Sequence, residues 1–482
     1  MSTHVSKIST PQSGLTHECS LYSLRELARR AGVAAEFFRS WTATFREHET
    51  MVRVHADPPK YIRFPHSCTE LQREHSRRKT RVRRASWMHA PVDSIRRDVP
   101  DFIVPFASDR DREDTPLFLP AGSDLVDCAF DLLPSLAFTL SRLEETLTSD
   151  RDTHGRFPSS ASVASREQFL HRPIVDEYGL AFEQALTYLL PAWQPEKKTL
   201  RVLISHDIDH IGIPFSFRQT LGHAIRRRSL AAVARDLHVI TLGTGLPTYL
   251  VSIQQLAEME LERRLDCEFY WKVSAPGKLD SGYDPFNPAA MKVISWLREH
   301  GITNGVHPGY ETFLNPDRLR NEVDEFTELL GPGPLGGRQH YLRWAPETWL
   351  HWENCGLMYD STIGYPDQGG FRAGTCVPYR PWVFSANREA NLLEIPLVLM
   401  DQVLFPRSEQ HSLEIVSQLV SRCCSAGGVF TLLWHNTSFV RPRHKRLYTA
   451  ILDTVAALEP KRFDRAKTYD SGCEPMVVTE SI

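Results

Sequence analysis

The fold is decided by Arg201-Val202-Leu203-Ile204-Ser205-His206-Asp207-Ile208-Asp209-His210. Its apolar first half predicts a buried strand, and its second half places carboxylates and imidazoles at the end of that strand, as α/β enzymes do at their sites. Asp207 and Asp209 are two residues apart, so an extended backbone points both to one side, where they need a cation, a shared proton or water. Because Asp and His are metal ligands, we interpret this end as a metal site; a plain strand entering a solvated loop is the alternative.

The composition is that of an ordinary globular protein. Its 482 residues predict two or three domains, and 41% hydrophobic residues suffice for real cores. The net charge of −3 neither favours nor excludes a polyanionic partner, and the nine scattered cysteines show no Cys-x-x-Cys spacing. Residues 1–18 lack the apolar segment of a signal peptide, and no run approaches the roughly 18 to 20 apolar residues of a membrane span. We therefore expect a soluble, cytoplasmic protein with reduced thiols and no membrane partner.

Residues 1–195 are the predicted N-terminal accessory region, of α+β character. Residues 20–45 predict two helices around a turn at Gly32, similar to the helix-turn-helix start of mercury-resistance-type regulators. Residues 77–84 contain six basic side chains, as a phosphate-contacting patch or a solvated linker would. Nucleic acid is thus an alternative partner, although a packing helix pair and a solvated surface explain both features. Further predicted elements are strands at 51–54, 61–64 and 101–106, helices at 124–147 and 180–190, and a polar boundary at 191–198.

Predicted strands alternate with predicted helices over residues 200–460, which indicates a parallel sheet with right-handed crossovers. At least six strands are expected, one of them at 392–400, and residues 461–482 are expected to be a tail. Polar residues follow the strand ends: Asp207, Asp209, His307, His340, Arg343, Asp360, Asp401 and His435. Because ligand sites of α/β folds occupy this edge, we expect one shared site.

These motifs resemble those of the polysaccharide deacetylases of carbohydrate esterase family 4. "SHDID" is similar to the first motif, which is Thr-Phe-Asp-Asp in most members and Asp-x-Asp in some, and "GVHPGYE" stands where His-(Ser/Thr)-x-x-His belongs. "LRWAPETW" with "GLMYDST", "LLEIPLVLMD" and "LLWHN" resemble the three later motifs, so the likeness covers about residues 200–455. "HGRF" at 154–157 and "RPIVDEYG" at 172–179 further resemble a bacterial subgroup that carries "HDVD", "HPSY" and "RQHYLRF".

The resemblance implies an α/β fold, a distorted (β/α) barrel, and metal-dependent hydrolysis of an N-acetyl group with one divalent ion, zinc being the expected metal. The implied roles are the following: Asp207 as general base, Asp209 and His307 as metal ligands, Arg343 orienting Asp207, His435 as the acid for the leaving amine, and Asp401 tuning His435. A divalent cation, a nearby carboxylate and an imidazole suit such a reaction near neutral pH. Tyr310 and Trp434 would suit stacking on a sugar or a base, although core packing explains either ring.

The chain departs from the family at one metal ligand. Glu311 stands where the second histidine of the metal motif belongs, four residues after His307. Glu311 can itself be a ligand, His340 can reach in from the next strand, or the third ligand can be absent; we favour His340 slightly because the subgroup string carries it. His206 and His210 are alternative donors.

We therefore predict a metal-dependent hydrolase of amide C–N bonds, most simply a de-N-acetylase of a sugar or sugar-derived substrate in carbohydrate metabolism. Without a visible secretion signal, a cytosolic sugar precursor, or another small N-acyl or cyclic amide compound, fits better than a cell-wall polymer. The alternative is a non-catalytic or regulatory barrel that senses a ligand and contacts nucleic acid through the N-terminal region. No feature of the chain indicates its oligomeric state.

Overall fold

The computed structural model describes residues 16–46, 48–65, 82–89, 99–105, 115–212, 248–280, 282–331, 335–464 and 477–480. Two sheets organise these residues. A six-stranded mixed sheet belongs to the N-terminal region, and an eight-stranded parallel sheet belongs to the C-terminal region. The fold is thus the expected α/β one, a distorted (β/α) barrel with an α+β accessory region. In the described part of the chain, no helix has the length and apolar character needed to cross a bilayer.

The N-terminal region contains five helices among the described residues: α1 (His17–Arg30), α2 (Ala35–Arg39), α3 (Leu132–Leu140), α4 (Val163–Arg166) and α5 (Ile174–Leu189). Its strands are β1 (Thr42–Phe45), β2 (Glu49–Ala56), β3 (Pro59–Pro65), β4 (Arg83–Ala85), β5 (Phe102–Val104), β6 (Phe118–Pro120) and β7 (Leu125–Cys128). The six-stranded sheet has the order β18-β1-β2-β3-β7-β6, and its first strand, β18 (Val477–Glu480), comes from the predicted tail and runs parallel to β1.

The barrel strands are β8 (Arg201–Ile208), β9 (Asp266–Trp271), β10 (Thr303–Val306), β11 (Gly336–Gly337), β12 (Tyr359–Asp360), β15 (Leu393–Glu394), β16 (Leu399–Met400) and β17 (Val429–Leu433), with the hairpin β13 (Trp382–Val383) and β14 (Arg388–Glu389) beside them. The helices are α6 (Thr248–Glu262), α7 (Pro288–Glu299), α8 (Pro316–Leu330), α9 (Pro346–Asn354), α10 (Asp401–Leu404), α11 (Glu409–Ala426) and α12 (Pro442–Ala456). The strand order is β15-β12-β11-β10-β9-β8-β17-β16.

Strand β8 lies inside the parallel sheet, between β9 and β17. Every residue of β8 after Arg201 is buried, which explains why the strand is a continuous apolar run instead of an alternating one. At β11 the sheet accepts only glycine, because a Cβ on Gly337 would lie 1.8 Å from the carbonyl oxygen of Val306. This close approach brings the residues after β10 and after β11 together at the carboxyl edge.

Three predicted elements need correction. Residues 125–128 form β7, which pairs in parallel with β3, so the helix predicted over 124–147 is confined to α3 and a short 3-10 turn. The helix predicted from Leu180 begins at Ile174. The strand predicted over 392–400 is two strands of two residues each, β15 and β16, which lie at opposite edges of the sheet.

The predicted helix pair at 20–45 exists as α1 and α2. Helix α1 is largely buried, and α2 has only five residues, which is short for a helix that lies in a DNA groove. Of the basic run 77–84, residues 77–81 lie outside the described residues, and Arg83 and Arg84 are in β4. Nucleic-acid contact therefore stays a prediction.

A buried ionic network joins α1 to the barrel region. The Arg30 guanidinium donates to Asp176 Oδ1 at 2.8 Å, to Thr375 Oγ1 at 3.1 Å and to the Glu26 carboxylate. Asp176 also accepts hydrogen bonds from the Thr375 hydroxyl and from the backbone N–H of Cys376. Burial disfavours the charged form of Glu26, but Arg29 and Arg30 outweigh it and lower the pKa of Glu26 to about 2. The network therefore stays ionised.

We predict that Arg30→Gln lowers the free energy of unfolding by about 3–5 kcal/mol, because it leaves the buried Asp176 without its cation and removes one of the two cations of Glu26. The matched control is Arg46→Gln, since Arg46 pairs with Glu49 on the surface and its side chain is 57% exposed; the expected cost is about 0–1 kcal/mol. Urea unfolding followed by tryptophan fluorescence measures both. Equal losses in the two variants would contradict the structural role of the network.

Candidate metal centre

Three metal-ligating side chains meet at the carboxyl edge of the barrel. Asp209 follows β8, His307 follows β10, and His340 lies three residues beyond β11. The Asp209 Oδ1 atom is 3.6 Å from His307 Nε2 and 3.4 Å from His340 Nε2. In the described part of the chain, these residues are the one group of three or more whose ligand atoms all lie within 4.8 Å of one another.

The group fits a divalent cation. Bonds of about 2.1 Å at tetrahedral angles place neighbouring ligand atoms roughly 3.4 Å apart, close to the two distances from Asp209. His307 Nε2 is buried and has no hydrogen-bond partner among the described residues, as a nitrogen that binds a metal requires. Two imidazoles and one carboxylate with a further position open are the donor set of catalytic zinc sites. Glu311, in contrast, is exposed and lies outside this group.

Both imidazoles are oriented by their other ring nitrogen. His307 Nδ1 lies 2.7 Å from the carbonyl oxygen of Arg338, and His340 Nδ1 lies 2.6 Å from Asp280 Oδ1. These acceptors hold a proton on each Nδ1 and leave the Nε2 lone pair directed at the group. Asp280 is itself held by Lys272, whose Nζ is 3.0 Å away. Burial opposes the charge on Asp280, but His340 and Lys272 hold its pKa below its ordinary value.

Asp207 lies beside this group and is oriented by Arg338. The Nη1 atom of Arg338 donates to Asp207 Oδ1 at 2.9 Å, and Asp207 Oδ2 is 3.8 Å from His307 Nε2. Burial disfavours the charged carboxylate, but His307 and Arg338 outweigh it and lower the pKa of Asp207. The structure therefore presents a buried carboxylate that is ionised at neutral pH.

This geometry corrects the expectation that Arg343 orients Asp207. Strand β11 ends at Gly337, so the first residue beyond it, Arg338, points into the barrel. Arg343 follows the turn at 340–342 and packs instead on the rings of Tyr310 and Phe313, with its guanidinium carbon 3.9 Å and 3.7 Å from the two ring centroids.

His435 and Asp401 form a pair on another side of the group. His435 Nδ1 lies 2.9 Å from Asp401 Oδ1, and its backbone N–H donates to Asp401 Oδ2. The free His435 Nε2 is 3.8 Å from Asp209 Oδ2. Burial lowers the pKa of His435, but Asp401, with Asp209 and Asp207, raises it to about 10. The imidazole is therefore protonated at neutral pH and can give a proton away.

Of the other predicted residues, Tyr310 lies near the site, whereas Trp434 and His206 are fully buried. Tyr310 lies near the mouth of the site, with its hydroxyl 3.4 Å from His154 Nδ1. Trp434 is fully buried against Phe405, so it belongs to the core, as the alternative of core packing expected. His206 is fully buried, and both of its ring nitrogens have hydrogen-bond partners, so it is no metal donor.

Sequence reasoning missed Arg338, Asp280, Lys272, His154 and Tyr341. Arg338 and Tyr341 stand in "RQHYLRW" at 338–344, which resembles the subgroup string "RQHYLRF", so a signal existed. His154 stands in the quoted "HGRF" string, but nothing in the sequence places that string at the barrel. Asp280 and Lys272 have no local signal.

Comparisons with known proteins give one family model and several solved structures of low similarity. The model of a family of unknown function, DUF7033, matches residues 31–191, and no curated protein matches the sequence. Among solved structures, a Mycobacterium smegmatis protein assigned as a polysaccharide deacetylase is 16% identical, with 60% of this chain and 97% of that chain covered and a TM-score of 0.40.

Two further solved structures are similar to a comparable extent. A Pseudomonas aeruginosa PAO1 protein assigned as a polysaccharide deacetylase is 14% identical, with 56% of this chain and 89% of that chain covered and a TM-score of 0.37. The Puue allantoinase is 14% identical, with 58% and 92% covered and a TM-score of 0.37. At this level of similarity, these structures do not bear on the reaction or the substrate of this chain.

We predict that His340→Ala abolishes stoichiometric binding of one zinc ion and that Glu311→Ala, the matched control, preserves it. His340 contributes one of the three converging donor atoms, whereas Glu311 is exposed. Equilibrium dialysis followed by elemental analysis measures the bound metal. Full zinc occupancy in His340→Ala together with loss in Glu311→Ala would reverse the assignment.

We predict that Asp280→Asn weakens zinc binding by about 10- to 100-fold without abolishing it, because the amide no longer orients and polarises the His340 imidazole. A competition titration against a chromogenic chelator measures the dissociation constant. An unchanged affinity would show that the contact between Asp280 and His340 does not support the metal.

Proposed function

We propose that the chain is a metal-dependent hydrolase that cleaves the amide C–N bond of an N-acylated substrate, with removal of an acetyl group from a sugar derivative as its reaction. One observation carries this proposal: a buried carboxylate and an imidazole lie beside the same group of three metal donors. Asp207 is 3.8 Å from His307, and His435 is 3.8 Å from Asp209. The sequence resemblance to polysaccharide deacetylases supports the same reaction.

Asp209, His307 and His340 would hold the cation in this site. A divalent cation bound there supplies a Lewis acid that polarises an amide carbonyl and lowers the pKa of water. The Asp207 carboxylate then accepts the proton of the attacking water, a role for which it is already ionised. Arg338 fixes the carboxylate for this task, since its guanidinium holds the other oxygen of Asp207.

The His435 imidazolium supplies the second proton transfer. Amide cleavage releases an amine, which leaves readily only when its nitrogen is protonated. His435 carries a proton on Nε2, on the side of Asp209, while Asp401 binds Nδ1 and fixes the ring. Asp207 and His435 thus perform the opposite halves of an acid–base reaction, because Arg338 favours the ionised carboxylate and Asp401 favours the charged imidazole.

The substrate in this proposal is a small N-acyl sugar derivative, in keeping with an expected cytoplasmic location. Polar and aromatic side chains surround the entrance: Tyr310 and Tyr341 with His154. Such rings with polar edges suit the alternating apolar faces and hydroxyl groups of a sugar.

We predict that the zinc-loaded protein releases acetate from N-acetylated amino sugars and that Asp207→Asn lowers kcat by about 10²- to 10⁴-fold, because the amide cannot accept the proton. His435→Gln is expected to lower kcat to a similar extent. Acetate release is followed with a coupled assay, and metal content is measured in the same samples. Asp317→Asn, an exposed change in the first turn of α8, is the control.

The proposal distinguishes loss of chemistry from loss of metal. Both variants are expected to keep most of the bound zinc, because neither side chain is one of the three donors. Full activity of metal-loaded Asp207→Asn would show that Asp207 is not the general base. No acetate from any amino sugar, despite full zinc occupancy, would contradict the proposed reaction.

A further inference from the structure

A loop of the N-terminal region reaches the mouth of the metal centre. The ring of His154 is 4.6 Å from the ring of Tyr341, which is itself 4.6 Å from the ring of the metal donor His340. His154 Nδ1 also lies 3.4 Å from the Tyr310 hydroxyl. The accessory region therefore contributes His154, whose ring is separated from the ring of His340 by Tyr341 alone. One small substrate can reach both histidines.

This loop, residues 152–156, is built rigidly. The Asp152 carboxylate accepts hydrogen bonds from the backbone N–H groups of His154 and Arg156, and the Arg156 side chain returns to it at 2.8 Å. Gly155 has a φ of +74°, which a residue with a side chain rarely adopts. Arg156 Nη1 also donates to the carbonyl oxygen of Tyr341 at 2.9 Å, so the loop is fastened to the barrel at this point.

The backbone of the facing turn is strained. Tyr341 and Leu342 have φ values of +62° and +53°, a conformation that costs non-glycine residues about 1–3 kcal/mol each and concentrates at functional sites. The turn directs His340 toward the metal group and places the half-buried Tyr341 between His340 and His154. The strained turn thus holds Tyr341 between the metal group and the loop at 152–156.

Arg343 lies at the same mouth without an ionic partner. Among the described residues, its guanidinium forms no ion pair; its Nη1 donates to the carbonyl oxygen of Tyr310, and its buried Nε–H donates to no acceptor. The guanidinium is sandwiched between Tyr310 and Phe313, and a Cβ on Gly155 would lie 3.7 Å from its Nη2. A partly desolvated guanidinium with free donors is a binding group for a carboxylate or a phosphate.

We propose that His154, Tyr341 and Arg343 form an anion subsite, which binds a negatively charged group of the substrate while the acyl group lies at the metal donors. The substrate is then an N-acyl sugar that carries a phosphate or a carboxylate, and not a neutral sugar polymer. This inference rests on the proposed function for the position of the acyl group. In it, Arg343 contacts the anion, and the loop at 152–156 closes one side of the subsite.

The test compares three substrates on the zinc-loaded full-length protein: N-acetylglucosamine, N-acetylglucosamine 6-phosphate and N-acetylmuramic acid. Either anionic sugar is expected to have a kcat/KM at least tenfold above that of the neutral sugar, through a lower KM. A faster reaction of the phosphate identifies a sugar phosphate as the substrate, and a faster reaction of the carboxylate identifies a sugar acid. Equal or better cleavage of the neutral sugar would overturn the subsite.

Variants test the contact itself. Arg343→Gln is expected to raise KM for the preferred anionic sugar by roughly 10- to 100-fold, the worth of a charge-assisted hydrogen bond, and to raise it more than kcat falls. Arg343→Lys, which keeps the charge but not the fork of donors, is expected to recover part of that loss. His154→Ala is a second variant outside the barrel. Arg388→Gln, an arginine with a side chain 47% exposed and paired with Glu353, is the control.

A binding measurement separates this inference from the proposed reaction. Calorimetry with glucosamine 6-phosphate, which has no acyl group to lose, reports the anion subsite without turnover. Binding that is lost in Arg343→Gln supports the subsite even when no acetate is released from any sugar, a result that would contradict only the proposed reaction. Hydrolysis of all three sugars with equal KM, unchanged in Arg343→Gln, would overturn the subsite and leave the proposed reaction standing. If Arg343→Gln does not fold, the substrate comparison on the unaltered protein still decides.

Discussion

The buried guanidinium of Arg338 is the interaction on which the candidate site depends. Its side chain donates to Asp207 and Ser205 on β8 and to Ser361 beyond β12, and its own carbonyl oxygen holds His307. A fully buried cation costs several kcal/mol unless a carboxylate and further hydrogen bonds compensate it. Here the compensating groups come from separate strands, so these strands must be assembled for the charge to be tolerated. Once they are assembled, the proposed base and one metal donor are both positioned.

The metal group is also tied to the N-terminal region. Two buried networks, around Arg30 and around the Glu145 carboxylate that accepts from Arg372 at 2.6 Å, join that region to the barrel. The loop at 152–156 then reaches the entrance of the site. The segment that matches the family of unknown function, residues 31–191, therefore includes a wall of the entrance. In our proposal, this region determines which substrate enters, whereas the barrel performs the chemistry.

The sequence predicted those parts whose signal is local. Strands β8 and β17 are apolar runs that end in polar residues, and they appear where expected. Strands of two residues, such as β15 and β16, show no hydrophobic pattern, because pairing with adjacent strands defines them and not their own sequence. Alternation along a strand contained an unused signal: Trp434 and His206 each stand next to a residue of the site and so point to the opposite face. Asp280 could not be predicted, because only the folded chain brings its loop to His340.

Glu311 stands where the resembled motif has its second histidine, and the structure brings His340 beside His307 instead. Val306 pairs with Gly337 in parallel register, so His307 is level with Arg338. His340 is only two residues beyond Arg338, in the segment that follows β11. Glu311 leaves in a loop that turns toward solvent, where a side chain is exposed. Two adjacent parallel strands therefore offer equivalent positions for a third donor, and the turn at 340–342 makes one of them point inward. In our proposal, the third donor therefore comes from the segment after β11 and not from the segment that carries the resembled motif.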